Sequence, residues 1–379
     1  MQWRPIYTSS VIPPLADINW YSFLARPPLP PPSKNILKAL AGQSTLITGA
    51  GGSIGAALAH RLTALNPPNL LLLESSESNL YALTSKLPSS PSVTFLLGSA
   101  ADPALLEYIF AKHSPDIVFH AAAFKHVPLM EQHPLAAIAN NIFATEALTR
   151  AGAAHHSRVV LLSTDKAVEP ASVMGATKRV AEQIVQTSRG TVLRLGNVLA
   201  SRDSVAEIFA RQIAHGGPIT VTDPAARRYF LTLDEAVDLL LIAAAHPLPP
   251  ALFAPILHAT HFIADLANFM AHTLAPGREI PIEFTEPRPG DKETEQLWST
   301  TEISYPSPPN ASTSGGLVSL QLSTLPSSQL TSALARLHIS VEARDIPAAL
   351  ALLQSLVSDY TPSPSLQSLA HHALPQVSQ

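Results

Sequence analysis

An acid and a base stand side by side in the stretch STDKAVEPASVMGATK, which follows the apolar run RVVLL. Asp165 and Lys166 form this pair, Thr164 precedes it, and Lys178 lies four residues after Met174. An adjacent ammonium and carboxylate can shift each other's pKa, and partial burial can adapt one of them for proton transfer. The stretch therefore predicts acid–base chemistry rather than a simple surface turn.

A glycine-rich segment, TGAGGSIG, lies between the apolar run STLI and the stretch AALAHRL. Gly49, Gly52 and Gly55 allow a tight turn, a close approach to a pyrophosphate and packing of a helix on a sheet. Glu74 ends the next apolar run, 74 − 52 = 22 residues after the middle glycine, near the roughly 20 expected for a carboxylate that binds ribose. This acid favours NAD, and because Ser75 supplies no cation for a 2′-phosphate, NADP is the less favoured cofactor.

Small residues follow the apolar run DIVF in the segment HAAAFKHVPLMEQHP. Three alanines there would let a cofactor lie against the end of a strand, where open α/β sheets bind ligands. The predicted cofactor-binding residues are Thr48, Gly49, Gly51, Gly52, Ser53, Ile54, Gly55, Glu74, Ser99, Ala100, Ala121, Ala122, Ala123 and Lys178.

Spaced arginines in the second half of the chain suit a substrate that carries a diphosphate, because guanidinium groups bind phosphate in a bidentate manner. The predicted substrate-binding residues are Lys125, His126, Asn197, Ser201, Arg202, Arg228 and Arg288, with Lys292 nearby. The 15 histidines show no ligand spacing, and no metal site is predicted.

The elements that must position these residues alternate along the chain. Short apolar runs alternate with amphipathic helical stretches from STLITG to DIVFHAAA, and further apolar runs follow at RVVLLST and TVLRLGNV. This alternation predicts an α/β fold with a Rossmann-like, doubly wound parallel sheet. Helical stretches such as SVAEIFARQIAHG dominate beyond about residue 200, which indicates a smaller C-terminal substrate-binding domain built partly from interleaved segments.

The 35 prolines are clustered, and the clusters suggest domain boundaries. Pairs of prolines oppose both helices and central strands, so we expect residues 1–40 to be a Pro-rich extended lead-in. Residues 41–200 are predicted to form an NAD(P)-binding Rossmann domain and residues 201–365 mainly a substrate-binding domain. Residues 366–379 are expected to be a flexible tail.

Composition excludes several classes of function. The 24 basic and 28 acidic residues give a net charge of −4, which does not favour a nucleic acid or an anionic membrane as partner. Cysteine is absent, so disulfides and thiolate metal sites are excluded. No apolar run reaches the roughly 18 to 20 residues of a membrane-spanning helix. We therefore expect a soluble, cytoplasmic protein, and a homo-oligomer is left open.

Taken together, six segments resemble the CapD-type polysaccharide biosynthesis proteins, which are UDP-N-acetylglucosamine 4,6-dehydratases of the extended short-chain dehydrogenase/reductase superfamily. The resemblance covers roughly residues 20 to 365, and the chain resembles the catalytic part of longer, membrane-anchored members. The segments are TGAGGSIG, AAFKHVPLMEQHP, STDKAVEPASVMGATKR, LGNVLASRDSV, GGPITVTDPAARRYFLTLDEAV and PRPGDK.

The resemblance implies a lyase that uses NAD to oxidise carbon 4 of the sugar transiently, removes water across carbons 5 and 6, and returns the hydride to carbon 6. It implies that Asp165 protonates the departing hydroxyl and that Lys166 is the base at carbon 5. Thr164 would contact the carbon 4 oxygen and Lys178 the nicotinamide ribose. Ser99 departs from the family pattern, in which an acidic residue near the adenine is usual.

Met174 stands where the superfamily has a tyrosine, as it does in many long CapD-type members. Four residues are about one helical turn, so Met174 and Lys178 are expected to project from one helix face toward the same cleft. A thioether cannot accept a proton, so the proton of the carbon 4 hydroxyl must leave by another route, through Thr164 or water to Asp165 or Lys166.

Two other functions are left open by the residues. One is a neighbouring enzyme activity, a UDP-sugar 4-epimerase or a dehydratase that inverts carbon 5, because residue types do not determine stereochemistry. The other is a dinucleotide-binding scaffold without catalysis. The presence of Asp165, Lys166 and Lys178 argues against the scaffold.

Overall fold

A computed structural model describes residues 15–88, 90–246, 251–302, 304–305, 316–322, 324–364 and 366–367. Most of the predicted flexible tail, residues 366–379, lies outside the described residues. Leu366, which is described, is buried.

The helices begin in the segment that was expected to be extended. Their bounds are α1 (Trp20–Leu24), α2 (Lys34–Ala41), α3 (Ser53–Thr63), α4 (Glu77–Thr84), α5 (Pro103–His113), α6 (Val127–Gln132), α7 (Pro134–Ile138), α8 (Ala144–Ala154), α9 (Val173–Thr187), α10 (Val205–Ala214), α11 (Leu233–Ala244), α12 (Ile263–Leu274), α13 (Ser327–Glu342) and α14 (Ile346–Leu356). Leu15–Asp17 and Asp165–Ala167 form 3₁₀ turns, and Ala139–Phe143 forms a π-helical turn.

The strands are mostly short. Their bounds are β1 (Thr45–Thr48), β2 (Leu70–Glu74), β3 (Val93–Leu97), β4 (Ile117–His120), β5 (Arg158–Thr164), β6 (Thr191–Leu195), β7 (Asn197–Val198), β8 (Ile219–Val221), β9 (Arg227–Arg228), β10 (Phe230–Leu231), β11 (Ala251–Pro255), β12 (His261–Phe262), β13 (Ile282–Phe284), β14 (Ser304–Tyr305) and β15 (Leu317–Leu320).

A nine-stranded sheet dominates the molecule, with the order β14-β15-β11-β6-β5-β4-β1-β2-β3. All pairings from β3 to β11 are parallel, and β15 and β14 add antiparallel strands at one edge. Every residue of β1, β2 and β4 is buried, as expected for strands covered by helices on both faces. The predicted α/β class with a doubly wound parallel sheet is confirmed. The strand order reverses between β1 and β4, where such sheets bind ligands.

Apolar side chains form three clusters. The sheet core surrounds the nine-stranded sheet. The helical core joins α6, α7 and α9 to α13 and α14. The third core joins α1, α10 and α12 to the short strands β8 and β10, and the two-stranded pairs β7–β10, β8–β13 and β9–β12 lie outside the main sheet. The division at residues 200 and 365 stays a prediction.

The expectation of a wholly extended lead-in is wrong for α1 and α2. Trp20, Phe23 and Leu24 are buried in the third core, and α2 begins where the Ser33 hydroxyl accepts a hydrogen bond from the Ile36 N–H. The prolines between the two helices occupy residues 27–32, where the chain is neither helical nor in a strand. Proline thus prevents regular structure only locally.

Across the described part of the chain, no helix combines the length and the apolar character needed to span a bilayer.

Candidate active site

The glycine-rich turn connects β1 to α3 at the point where the strand order reverses. Gly49 has φ +68°, and a Cβ there would lie 2.7 Å from the Ala122 backbone. A Cβ on Gly55 would lie 2.1 Å from the Gly49 carbonyl oxygen. Only glycine allows these approaches. No side chain caps α3, whose N-cap is Gly52, so its first N–H groups suit an anion such as a pyrophosphate.

Glu74 supports this turn from the end of β2. Its side chain is buried, and its two oxygens accept hydrogen bonds from the N–H groups of Gly51 and Ser76, each at 2.9 Å. The carboxylate therefore shapes the glycine turn beside which the ribose was predicted to bind. The residues present fit a dinucleotide.

Ser99 and Ala100 follow β3. The Ser99 hydroxyl accepts a hydrogen bond from the Ala101 N–H at 3.1 Å, and Ala100 is buried. A contact of Ser99 with an adenine stays a prediction.

Asp165 and Lys166 begin the 3₁₀ turn that follows β5, as the sequence predicts. Asp165 is fully buried, and its Oδ1 accepts hydrogen bonds from the Thr164 hydroxyl and from Lys166 Nζ, both at 3.0 Å. Its Oδ2 has no hydrogen-bond partner within the described chain. Burial raises the pKa of Asp165, although the Lys166 ammonium opposes this shift. Such a carboxyl group is suited to carry and donate a proton.

Lys166 lies between two acids. Its Nζ is 3.0 Å from Asp165 Oδ1 and 3.6 Å from Glu295 Oε1, and it also donates to Asn197 Oδ1 at 3.3 Å. Burial opposes the charge on Lys166, but the negative charges of Asp165 and Glu295 outweigh it and raise the pKa of Lys166. The resting form of Lys166 is therefore the ammonium.

Met174 and Lys178 have different surroundings, although both lie on α9 and both are buried. Lys178 Nζ donates to the Leu162 carbonyl of β5 at 2.7 Å, and burial lowers its pKa to about 8. Met174 instead packs in the helical core. The expectation that both side chains project toward one cleft stays a prediction.

The segment after β4 brings its small residues to the glycine turn, where Ala122 contacts Gly49. Asn141 holds the segment by accepting the Phe124 N–H at 2.8 Å and donating to the Phe124 carbonyl at 3.1 Å. Lys125 and His126 lie beyond it and are exposed.

The loop after β7 contacts the starts of α3 and α4. The Arg202 N–H donates to the Ser53 hydroxyl at 2.8 Å, and its guanidinium donates to Asn79 Oδ1 at 2.5 Å. Lys125 Nζ donates to the Arg202 carbonyl at 2.5 Å, and the Ser201 hydroxyl donates to the Val198 carbonyl at 2.8 Å. Arg202 thus contacts Ser53, a predicted cofactor-binding residue, and its contact with the substrate stays a prediction.

The other two predicted arginines, Arg228 and Arg288, contact different groups. Arg228 is buried and donates to the carbonyl groups of Arg227, Lys292 and Glu293 at 2.7 to 2.9 Å. Arg288 is half exposed and pairs with Asp291 at 3.0 Å. In this arrangement Arg228 holds backbone, and its role as a phosphate ligand stays a prediction.

Sequence reasoning missed several buried polar residues of this region. Glu295 lies beside Lys166, and a glutamate in a polar loop gives no sign in the sequence that it will be buried. His120, at the end of β4, lies between the hydroxyls of Thr48 and Thr145 at 2.7 and 3.1 Å. Burial, with the nearby Lys178 charge, lowers the pKa of His120 to about 3, so its imidazole is neutral.

The family model described as "Polysaccharide biosynthesis protein" matches residues 45–311. The chain is 37% identical over 301 residues to the probable polysaccharide biosynthesis protein EpsC of Bacillus subtilis (strain 168), and 37% identical over 302 residues to the capsular polysaccharide biosynthesis protein CapD of Staphylococcus aureus. Each alignment covers 76% of this chain and 50% of the relative, so the chain spans about half the length of these relatives. It is also 32% identical to a UDP-glucose 4-epimerase of Rickettsia canadensis (strain McKiel), across 69% of this chain and 79% of that protein.

Solved structures share the fold. The X-ray structure of Pen from Bacillus thuringiensis superposes with a TM-score of 0.64 and 29% identity, covering 68% of this chain and 81% of Pen. DesIV, a dTDP-glucose 4,6-dehydratase from Streptomyces venezuelae solved with NAD and TYD bound, gives a TM-score of 0.60 at 18% identity, covering 67% of this chain and 88% of DesIV. At that identity DesIV is evidence for the fold alone.

Proposed function

The chain belongs to the polysaccharide biosynthesis protein family, and we propose that it is an NAD-dependent nucleotide-sugar 4,6-dehydratase acting on UDP-N-acetylglucosamine. The single observation that carries the proposal is the fully buried Asp165 with one unpartnered oxygen, paired with Lys166 at the end of β5. This acid–base pair lies one strand from the position where the sheet reverses its order. Burial of two charged groups opposes folding through desolvation, and a scaffold without catalysis has no need of such a pair.

The glycine turn, the N-terminus of α3, Glu74 and Lys178 would hold NAD in this proposal. Bound NAD would supply a hydride acceptor that is regenerated within one turnover. The carboxylate of Glu74 and the absence of a cation at Ser75 support NAD over NADP.

In this proposal Asp165 and Lys166 divide the proton transfers of the elimination. Asp165, whose pKa is raised by burial, donates a proton from its free Oδ2 to the departing carbon 6 hydroxyl. Lys166, whose side chain is 19% exposed, first releases its ammonium proton to solvent. The neutral amine then accepts the proton from carbon 5 and returns a proton to carbon 5 when the hydride reaches carbon 6. Thr164 donates to Asp165 Oδ1 at 3.0 Å, and this hydrogen bond offers the carbon 4 hydroxyl a path for its proton that does not need the missing phenol.

A 4-epimerase is the second candidate, because the Rickettsia relative carries that name and aligns over 79% of its length. The two activities differ in product mass. An epimerase changes the configuration at carbon 4 and leaves the mass unchanged, whereas a dehydratase removes one water.

The test is incubation of the purified protein with NAD and UDP-N-acetylglucosamine, followed by mass spectrometry of the nucleotide sugar. We expect loss of one water, and NMR of the product then assigns the configuration at carbon 5. Asp165→Asn is the matched variant, and it should bind NAD like the wild type but lose at least roughly a hundredfold in turnover. A product of unchanged mass, or near-wild-type turnover by Asp165→Asn, would contradict the proposal.

A further inference from the structure

Glu295 forms a second acidic contact to Lys166, from a segment distant in sequence. Its Oε1 lies 3.6 Å from Lys166 Nζ, on a side chain that is 2% exposed, whereas the Lys166 side chain is 19% exposed. The carboxylate therefore lies deeper in the protein than the ammonium. Its Oε1 faces Lys166 and its Oε2 faces Lys292, so both oxygens are directed at cations of the protein, which suits a residue that acts through Lys166.

The segment that carries Glu295 is held by Arg228 of β9 and by a hydrogen bond to Val168, which follows the turn Asp165–Ala167. Arg228 donates to the carbonyl groups of Lys292 and Glu293 at 2.8 and 2.9 Å. Lys292 Nζ donates to the Val168 carbonyl at 2.6 Å and lies 3.5 Å from Glu295 Oε2. These contacts hold residues 292–295 against the turn that begins at Asp165.

Three charged groups act on Lys166: Asp165 from its own turn, Glu295 from the 292–295 segment and Arg228 from β9. Lys292 stands behind Glu295. Burial disfavours the charge on Glu295, but the cations Lys166, Lys292 and Arg228 outweigh it and lower the pKa of Glu295. Glu295 therefore stays a carboxylate at neutral pH and supplies a permanent negative charge to Lys166.

We propose that Glu295 is a positioning residue, which holds Lys166 Nζ against Asp165 and supplies the negative charge that governs the protonation state of Lys166. The inference rests on the proposed function for its meaning in catalysis. The underlying electrostatic effect can be measured without any substrate.

The first measurement is the pH dependence of acylation of Lys166, followed by peptide mass spectrometry, because only the neutral amine reacts. Glu295→Gln removes a negative charge at similar size, so the pH of half-maximal labelling should move down by about one unit or more. Glu293→Gln is the matched control, since its exposed side chain is two positions away, and its labelling curve should coincide with that of the wild type. Glu295→Asp keeps the charge, and its midpoint should lie above that of Glu295→Gln.

The second measurement is the pH profile of turnover with UDP-N-acetylglucosamine. Glu295→Gln should lower kcat roughly tenfold or more, leave KM within about twofold, and move the limb of the profile that reports Lys166 to lower pH. If the fall in kcat that reports Lys166 lies on the acid side of the profile, the neutral amine is the active form. If it lies on the alkaline side, the ammonium is the active form.

A Glu295→Gln labelling curve that coincides with the wild-type curve would overturn the inference, as would a loss of kcat with no movement of the pH profile. Failure of the wild type to dehydrate the sugar would instead refute the proposed function, and the labelling comparison would still decide the electrostatic role of Glu295. If Glu295→Gln does not fold, a Glu295→Asp midpoint below that of the wild type supports the inference, because the shorter carboxylate lies farther from Lys166. An unchanged midpoint overturns it.

Discussion

Met174 shows that a side chain in a catalytic motif can have a packing role. It is 4% exposed and lies among apolar residues of the helical core, while Lys178, one helical turn later, keeps a polar contact to β5. Because no proton can be held on a thioether, the proposed function assigns the proton transfers to Asp165 and Lys166 instead. The methionine contributes apolar volume at the position where a phenol is usual.

We therefore expect Met174→Leu to retain kcat within about twofold and to change the free energy of unfolding by less than about 1.5 kcal/mol, as volume-conserving core substitutions do. Turnover assays and denaturant unfolding would measure both. Met130→Leu, at another buried methionine of the same core, is the control. A loss of turnover above tenfold in Met174→Leu alone would mean that the thioether has a direct role at the site.

At the level of elements, the start of α9 lies directly against the 3₁₀ turn Asp165–Ala167 at a glycine. A Cβ on Gly175 would lie 2.1 Å from the Lys166 carbonyl oxygen and 3.1 Å from Pro170 Cβ. The same end of the helix is held by Glu131 of α6, which accepts the Val173 N–H at 2.8 Å and the Ser363 hydroxyl at 2.5 Å. The start of α9, the turn Asp165–Ala167 and the segment around Ser363 are thus in direct contact through Gly175 and Glu131.

Gly175→Ala should displace the turn that carries Lys166, because the methyl group meets backbone rather than a flexible side chain. We expect a loss of about 1–3 kcal/mol in unfolding free energy together with a fall in turnover. Gly42→Ala is the matched control, since a Cβ there has no neighbour within 4 Å and its φ is −85°. Equal stability of the two variants in thermal or urea unfolding would show that the contact is easily relieved.

For the whole molecule, a buried ionic network joins the main sheet to α9 and to Glu302, which follows the 292–295 segment. Arg194 of β6 is fully buried and forms bidentate pairs with Glu182 and Glu302 at 2.7 to 2.8 Å. Arg179 also contacts Glu302 at 2.5 Å. The pKa of Glu302 falls to about 2, because the hydrogen bonds and charges of Arg194 and Arg179 outweigh the effect of burial.

Glu302→Gln should lower the free energy of unfolding by about 3–5 kcal/mol at pH 7, because it leaves the buried guanidinium of Arg194 with one of its two carboxylate partners. The stabilisation of the folded state by the Glu302 carboxylate is fully present above its ordinary pKa of 4.5, and it is lost as the pH falls toward 2. The difference in unfolding free energy between wild type and Glu302→Gln should therefore shrink from pH 5 to pH 3 in denaturant unfolding.

The control is Glu342→Gln, at an exposed position, whose unfolding free energy should stay within about 0.5 kcal/mol of the wild type. If the difference between wild type and Glu302→Gln did not change with pH, the ion pairing assigned to Glu302 would be contradicted.

Local patterns in the sequence were enough to predict the parallel sheet, the glycine turn after β1 and the acid–base pair after β5. Each of these depends on consecutive residues: apolar runs that must be buried, glycines that a tight turn requires, and polar side chains at the end of a strand. The six segments also indicated the family, which the family model and the relatives confirm. The roles of the individual site residues stay predictions.

Only the tertiary structure decided which distant residues meet. Glu295 faces Lys166, Arg228 binds the carbonyl groups of the segment that carries Glu295, and Met174 lies in the helical core. The short helix α1 forms in a proline-rich segment because its apolar side chains are covered by the third core. Burial and ion pairing depend on how separate elements pack, and the spacing of neighbouring residues does not contain that information.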